Sequence, residues 1–304
     1  MARYRVLIGI VVVVVAIAVA AAGFRAWTRF ETRDDESAGQ GRGVDAPAPS
    51  APSTVAATTT TAPDRGPPYG VGVLHVTVVD PSRGVAARGP TPAAAERALS
   101  LTIRYPIAGP AAPGEFPDAP ARRGPVVLVL FAHGLALQDQ TYPKFLHDLA
   151  AAGFVVADPE FPLSSGALPG PARSDPVEQA NDVAFVANQL LDPAARPAPL
   201  RTADFAEHFG VVGHSDGGIT AAGFAANSCC ADARVGAAVV LAGALGRFSG
   251  GWFTTAAPPL LVMHGTADET NPVSSSRGVY GASPGPKLTS LPAQANVPRP
   301  LATM

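Results

Sequence analysis

Charge is scarce in this sequence. Only 15% of its 304 residues are charged, and 22 Lys and Arg against 24 Asp and Glu leave a net charge of -2. Without a basic excess there is no electrostatic footprint for nucleic acid or another polyanion, so nucleic acid is excluded as a partner. Lysine is nearly missing: Lys144 and Lys287 are its two occurrences. With the abundant Ala and Pro, this reads as high-GC coding bias and carries no function. Cysteine is equally rare, and the adjacent pair Cys229 and Cys230 lacks the spacing of a metal site. No metal and no organic cofactor is expected. The two thiols either close a vicinal disulfide in an oxidising compartment or stay as small, half-buried thiols.

Hydrophobic residues, at 47%, are plentiful enough for a sizeable core. They begin with an apolar run from Val6 to Phe24. As a helix this run spans about 29 Å, close to a bilayer's hydrocarbon thickness. Arg3 and Arg5 precede it, which favours a cytoplasmic N-terminus and an exported remainder. The expectation is a single-pass anchor in the cell membrane, residues 1–35 with flanks. The alternative is a signal peptide cut near Ala20-Ala21-Ala22 and a secreted protein. Residues 36–70 are rich in Pro, Ala, Thr and Gly, without apolar periodicity, and read as a flexible spacer.

A folded domain is expected over 71–292, with an irregular tail at 293–304. Val71 to Asp80 and Leu99 to Tyr105 are β-rich. Pro125 to Ala132 (PVVLVLFA) is continuously apolar, as in a strand buried on both faces. Further strands are expected at Phe154 to Ala157, Phe209 to Val212, Ala237 to Leu241 and Leu260 to Met263. Helical stretches alternate with them at Tyr142 to Ala152, at Val177 to Leu191 and after Ser215. That alternation predicts βαβ units in a doubly wound, mostly parallel sheet flanked by helices.

The chemistry concentrates in Phe209-Gly-Val-Val-Gly-His-Ser-Asp-Gly-Gly218, which contains G-x-S-x-G as Gly213, Ser215 and Gly217. A tight strand-to-helix turn leaves no room for side chains at the flanking positions, and it presents the serine hydroxyl at its tip. Such a motif also arises by chance in a chain with 31 glycines, as an ordinary turn. Here an apolar strand precedes it and an alanine-rich stretch follows. His133-Gly134-Leu135 directly follows the strand 125–132, where a second oxyanion amide belongs, making the amides of Leu135 and Asp216 the candidate oxyanion donors. His133 itself reads as a loop imidazole bonding its own turn. Asp268, closing Leu260-Leu-Val-Met-His-Gly-Thr-Ala-Asp268, lies after the serine, as the order serine, acid, histidine requires. Its bland alternative is a turn or cap aspartate ahead of Asn271-Pro272.

No catalytic histidine is found. His75, His133, His147, His208, His214 and His264 all precede Asp268. After Pro286 to Pro292, which allows a last strand, the sequence loses periodicity. Loss of a triad histidine costs on the order of 10⁶ in turnover in a serine protease. Three readings stand: a truncated or frame-shifted C-terminal end, a non-catalytic ligand-binding relic, or a histidine entering from elsewhere.

Phe131-Ala-His-Gly-Leu135, Ala152-Gly-Phe-Val-Val-Ala157, Gly213-His-Ser-Asp-Gly-Gly218, Asn227-Ser-Cys-Cys230 and His264-Gly-Thr-Ala-Asp268 resemble bacterial, especially actinobacterial, α/β-hydrolases of the dienelactone-hydrolase-like group. That group is similar to chlorophyllases, cutinase-like polyester hydrolases and platelet-activating-factor acetylhydrolases. The resemblance implies an α/β-hydrolase fold with Ser215 as nucleophile, Asp268 as acid, and Leu135 and Asp216 as oxyanion amides. It implies cleavage of a small-molecule or lipid ester through an acyl-Ser215 intermediate. A dienelactone hydrolase proper would carry a Cys nucleophile, so the serine favours general ester cleavage. Phe161 and Trp252 are candidate acyl-pocket residues, or simple packing aromatics. The rival class is a ligand-binding or scaffolding module on the same fold. A peptidase of this fold has no feature in its favour.

Overall fold

The computed structural model describes residues 69–291, apart from 173, 174 and 255. The proposed anchor, the spacer up to residue 68 and the tail beyond 291 lie outside the described residues; Tyr69 and Gly70, assigned to the spacer, instead open the first strand.

Two long strands open the domain, β1 (Tyr69–Asp80) and β2 (Arg97–Pro110), paired antiparallel with Val73 opposite Arg104 and His75 opposite Thr102. A short β3 (Glu115–Pro117) adds to the outer side of β1. The parallel part follows as β4 (Gly124–Ala132), α1 (Pro143–Ala151), β5 (Phe154–Glu160), α2 (Pro176–Leu191), β6 (Ala203–Phe205), β7 (Phe209–His214), α3 (Asp216–Ala226), β8 (Val235–Leu241), β9 (Leu260–Met263), α4 (Val273–Ala282) and β10 (Lys287–Ser290). The strands form one sheet in the order β10-β9-β8-β7-β4-β5-β2-β1-β3, with β6 beside β4. This mostly parallel sheet with helices on both faces is an α/β-hydrolase fold.

Central strands are apolar throughout because both faces are covered. In β4, Val129 and Phe131 pack with Leu146 and Leu149 of α1 on one side. Leu128, Leu130 and Ala132 pack with Val183 and Ala187 of α2 and Ala221 of α3 on the other. A parallel strand needs a crossover element before its neighbour, which is why helices alternate with β4, β5, β7 and β8. All carboxyl ends of β4, β7, β8 and β9 therefore point to one edge. Ligands of open α/β sheets bind at that edge.

One buried polar tie spans the layers. Arg97, at the start of β2, grips Asp182 of α2 through Nε at 2.6 Å and Nη2 at 2.7 Å, and donates to Asp175 at 2.8 Å. The two carboxylates hold its guanidinium charged despite burial. Cys229 and Cys230, just beyond α3, are joined as a vicinal disulfide.

Candidate active site

Ser215 stands between β7 and α3 with φ 55° and ψ -118°, a backbone conformation that strains any residue with a side chain. Its amide donates to the Leu241 carbonyl at 2.9 Å, and its own carbonyl accepts from Ile219. The turn is glycine-bound for steric reasons. A Cβ on Gly213 would sit 2.0 Å from the Gly217 carbonyl oxygen, and one on Gly217 would sit 2.0 Å from that of Ala132. Both flanking positions of the motif thus require glycine by contact, and the second contact is what packs α3 against the end of β4.

The loop after β4 comes up beside this turn. A Cβ on Gly134 would meet the Ser215 Cβ at 3.2 Å. Gly134 is held from both sides. Its carbonyl accepts from His133 Nδ1 at 2.8 Å, and its amide donates to the Tyr142 hydroxyl at 3.2 Å. His133 Nε2 in turn accepts from the Phe161 amide, so the proton must be on Nδ1. Burial lowers the His133 pKa to about 4, keeping the ring neutral. His133 therefore has the structural role expected of it, bonding its own turn. The two amides that follow Leu135 are committed: Ala136 donates to Ser164 O and Leu137 to Gly134 O. No acceptor among the described residues takes the Leu135 amide. Asp216, first residue of α3, follows Ser215 directly.

On the opposite side lies the loop after β9. The Asp268 side chain is 2% exposed. Its Oδ1 accepts from the amides of Thr270 at 2.8 Å and Asn271 at 3.0 Å, a turn that freezes the carboxylate. Its Oδ2 has no hydrogen-bond partner, and the nearest basic group is His264 Nε2 at 3.4 Å. A buried carboxylate oxygen left open in this way is an acceptor aimed for a further donor. His264, fully buried at the end of β9, spends Nε2 on the Asn271 carbonyl at 3.0 Å and Nδ1 on Ser276 at 2.7 Å. Neither nitrogen contacts Ser215. His214 turns back under the loop, with Nδ1 2.8 Å from the Tyr142 hydroxyl, and burial lowers its pKa to about 4.

Two residues that sequence reasoning passed over belong here. Asn271 donates from Nδ2 to Ser215 Oγ at 3.3 Å and to the Ala242 carbonyl at 3.4 Å, and an amide nitrogen cannot take the serine proton. The only sequence signal for it was its place three residues after the candidate acid. Tyr142 links the loop and the turn, and nothing in the sequence distinguished it from a core aromatic. Phe161 is fully buried against the His133 ring, and Trp252 packs edge-on to Phe248, so both serve packing here. Among the described residues, no group of three His, Cys, Asp or Glu side chains gathers to hold a metal.

Comparison with known proteins gives a family and a fold. Chlorophyllase-1, chloroplastic, of Citrus unshiu and of Citrus sinensis are each 32% identical over 102 residues. The match takes in 34% of this chain and 29% of theirs, so the likeness spans under a third of those relatives. A ferulic acid esterase from Streptomyces cinnamoneus superposes with a TM-score of 0.53 over 72% of both chains at 23% identity, a likeness of fold. The chlorophyllase family model matches residues 108–264, just over half of the chain. That stretch includes the Gly134 loop and the Ser215 turn and ends four residues before Asp268. The chain belongs to the chlorophyllase family.

Proposed function

We propose that this protein is a serine hydrolase of carboxylic esters. Ser215 Oγ attacks the ester carbonyl carbon, and the C–O bond to the alcohol breaks with the alcohol taking a proton. Water then releases the acid from the acyl-Ser215 intermediate. The amides of Leu135 and Asp216 stabilise the oxyanion, and Asp268 is the acid that orients and charge-balances the base. One observation carries this reading: a serine at positive φ, bracketed by two obligate glycines, has a loop with an uncommitted amide on one side and a frozen, half-satisfied carboxylate on the other. The family and the esterase of similar fold support an ester as the substrate class, and a small-molecule or lipid ester is the finer proposal.

Among the described residues the side chain bonded to Ser215 Oγ is that of Asn271. Its amide nitrogen cannot take the serine proton, so turnover by the described residues alone is expected to be slow. This supports the second reading, a ligand-binding module on the same fold. A fluorophosphonate probe separates the two. Labelling of the parent chain that vanishes in Ser215→Ala is the result expected of a hydrolase. Saturable acyl-ligand binding without any labelling would sink the enzymatic reading.

We further propose that the domain is extracytoplasmic, tethered through Val6 to Phe24 or secreted after cleavage of that segment. The Cys229–Cys230 disulfide supports an oxidising compartment. Among the described residues, no helix is long and apolar enough to cross a membrane, and the tether lies outside them.

A further inference from the structure

Tyr142 lies just ahead of α1, eight residues from Gly134 and 72 from His214, yet its hydroxyl meets both. It accepts from the Gly134 amide at 3.2 Å. Its own proton is then directed to His214 Nδ1 at 2.8 Å. The ring is held edge-on to Phe131, with centroids 4.8 Å apart, and edge-on to the His214 imidazole at 5.6 Å. His214 is the residue before Ser215, and Gly134 is the residue before Leu135. A single hydroxyl therefore joins the two backbone segments that carry the candidate oxyanion amides.

We propose that Tyr142, acting through His214, is a positioning residue that sets the separation of the Leu135 and Asp216 amides. The inference rests on the hydrolase reading above and deepens it. Its physical basis is that an oxyanion hole works only when its donors are already in place, because a loop that must reorganise during the reaction gives back part of the stabilisation. The Gly134 carbonyl, which shares its peptide unit with the Leu135 amide, accepts from the His133 ring. Tyr142 holds the preceding peptide unit through the Gly134 amide, so both units that meet at Gly134 are fixed and the Leu135 amide keeps its orientation. Burial raises the Tyr142 pKa, so the hydroxyl keeps the proton that this arrangement needs. Burial of His214 keeps Nδ1 available to accept it.

Fluorophosphonate labelling reads the hole directly. Ser215 Oγ bonds to phosphorus, fluoride leaves, the serine proton passes to solvent, and the phosphoryl oxygen takes the oxyanion position. Tyr142→Phe is expected to slow labelling about tenfold. His214→Gln should act similarly, and the double variant should be no slower than the worse single one, as for two groups in one linkage. Hydrogen exchange supplies a readout independent of activity: the amides of Gly134 and Leu135 should exchange faster in Tyr142→Phe, while those of β4 and β7 keep their parent rates. Rates that multiply in the double variant, or unchanged exchange at Gly134, would overturn the positioning role. Loss of labelling that tracks general protection loss across β4 and β7 would overturn it too, by making Tyr142 a stability residue. A parent chain that is never labelled refutes the hydrolase reading itself, and with it this inference.

Discussion

Ser215 occupies a backbone conformation that only glycine adopts without penalty, and such strain is worth about 1–3 kcal/mol. Replacing it by glycine relieves the strain and removes the hydroxyl. Ser215→Gly is therefore expected to be more stable than the parent by about 1 kcal/mol, and inert to the fluorophosphonate probe. A denaturant titration checks the first half; a destabilised variant would mean that the turn is not strained as described. Two buried imidazoles make a second residue-scale prediction. His133 and His214 have pKa values lowered to about 4, against about 6.5 in the unfolded chain. His214 faces Tyr142 from one side and Asp268 and His264 from the other, and burial outweighs the pull of the carboxylate. Between pH 6.5 and 4 the unfolded state holds more protons than the folded one, so stability falls with pH across that window. It is fully present above about 6.5. Each ring contributes a loss on the order of 3 kcal/mol by pH 4. Urea midpoints at pH 7, 5.5 and 4 measure this, and a flat profile would contradict the buried neutral state.

Elements hold to one another through very different chemistry in different places. The contact of β4 with α1 and α3 is apolar on both faces, and this is why its sequence reads as an unbroken run. The contact of β2 with α2 instead contains the Arg97–Asp182 pair, with side chains 2% and 0% exposed. Removing Arg97 leaves Asp175 without its cation and Asp182 with Arg83 alone, at 2.9 Å. Arg97→Met is expected to lower stability by about 3–5 kcal/mol, and pairing it with Asp182→Leu should recover a substantial part. Equal losses in the single and double variants, by thermal unfolding, would show that the burden is packing and not an uncompensated charge. Most elements were legible from periodicity. β4, β5, β7, β8 and β9 fall on the predicted runs, and α1 and α2 within a residue or so of the predicted helices. The three-residue strands β3 and β6 were not, because three residues carry no period. Helix α4 was not either, since Val273–Ala282 is mostly Ser, Gly and Val and buries little beyond Ser276 and Val279.

At the scale of the whole molecule, the proposed division into tether, spacer and domain predicts separable behaviour. The full chain is expected in the membrane fraction, resistant to carbonate extraction, or released after cleavage near Ala22. A chain beginning at Tyr69 should be recovered without membranes and melt at the same midpoint. A lower midpoint would mean that the preceding residues pack on the domain. The candidate site divides along a similar line. The turn at Gly213, Ser215 and Gly217 was legible because a steric requirement imposes a residue type at a fixed spacing, whereas Asp268 is proposed as the acid from chain order alone. The amino-acid sequence by itself determined the parallel sheet and the serine turn, since these depend on local sterics and periodicity. Only the tertiary structure decided that Asn271 reaches Ser215, that one oxygen of Asp268 is left open, that His264 is spent on its own loop, and that Tyr142 bridges Gly134 to His214. Those contacts join residues up to 72 positions apart, and their partners are set by how the strand ends converge, which no spacing along the chain records.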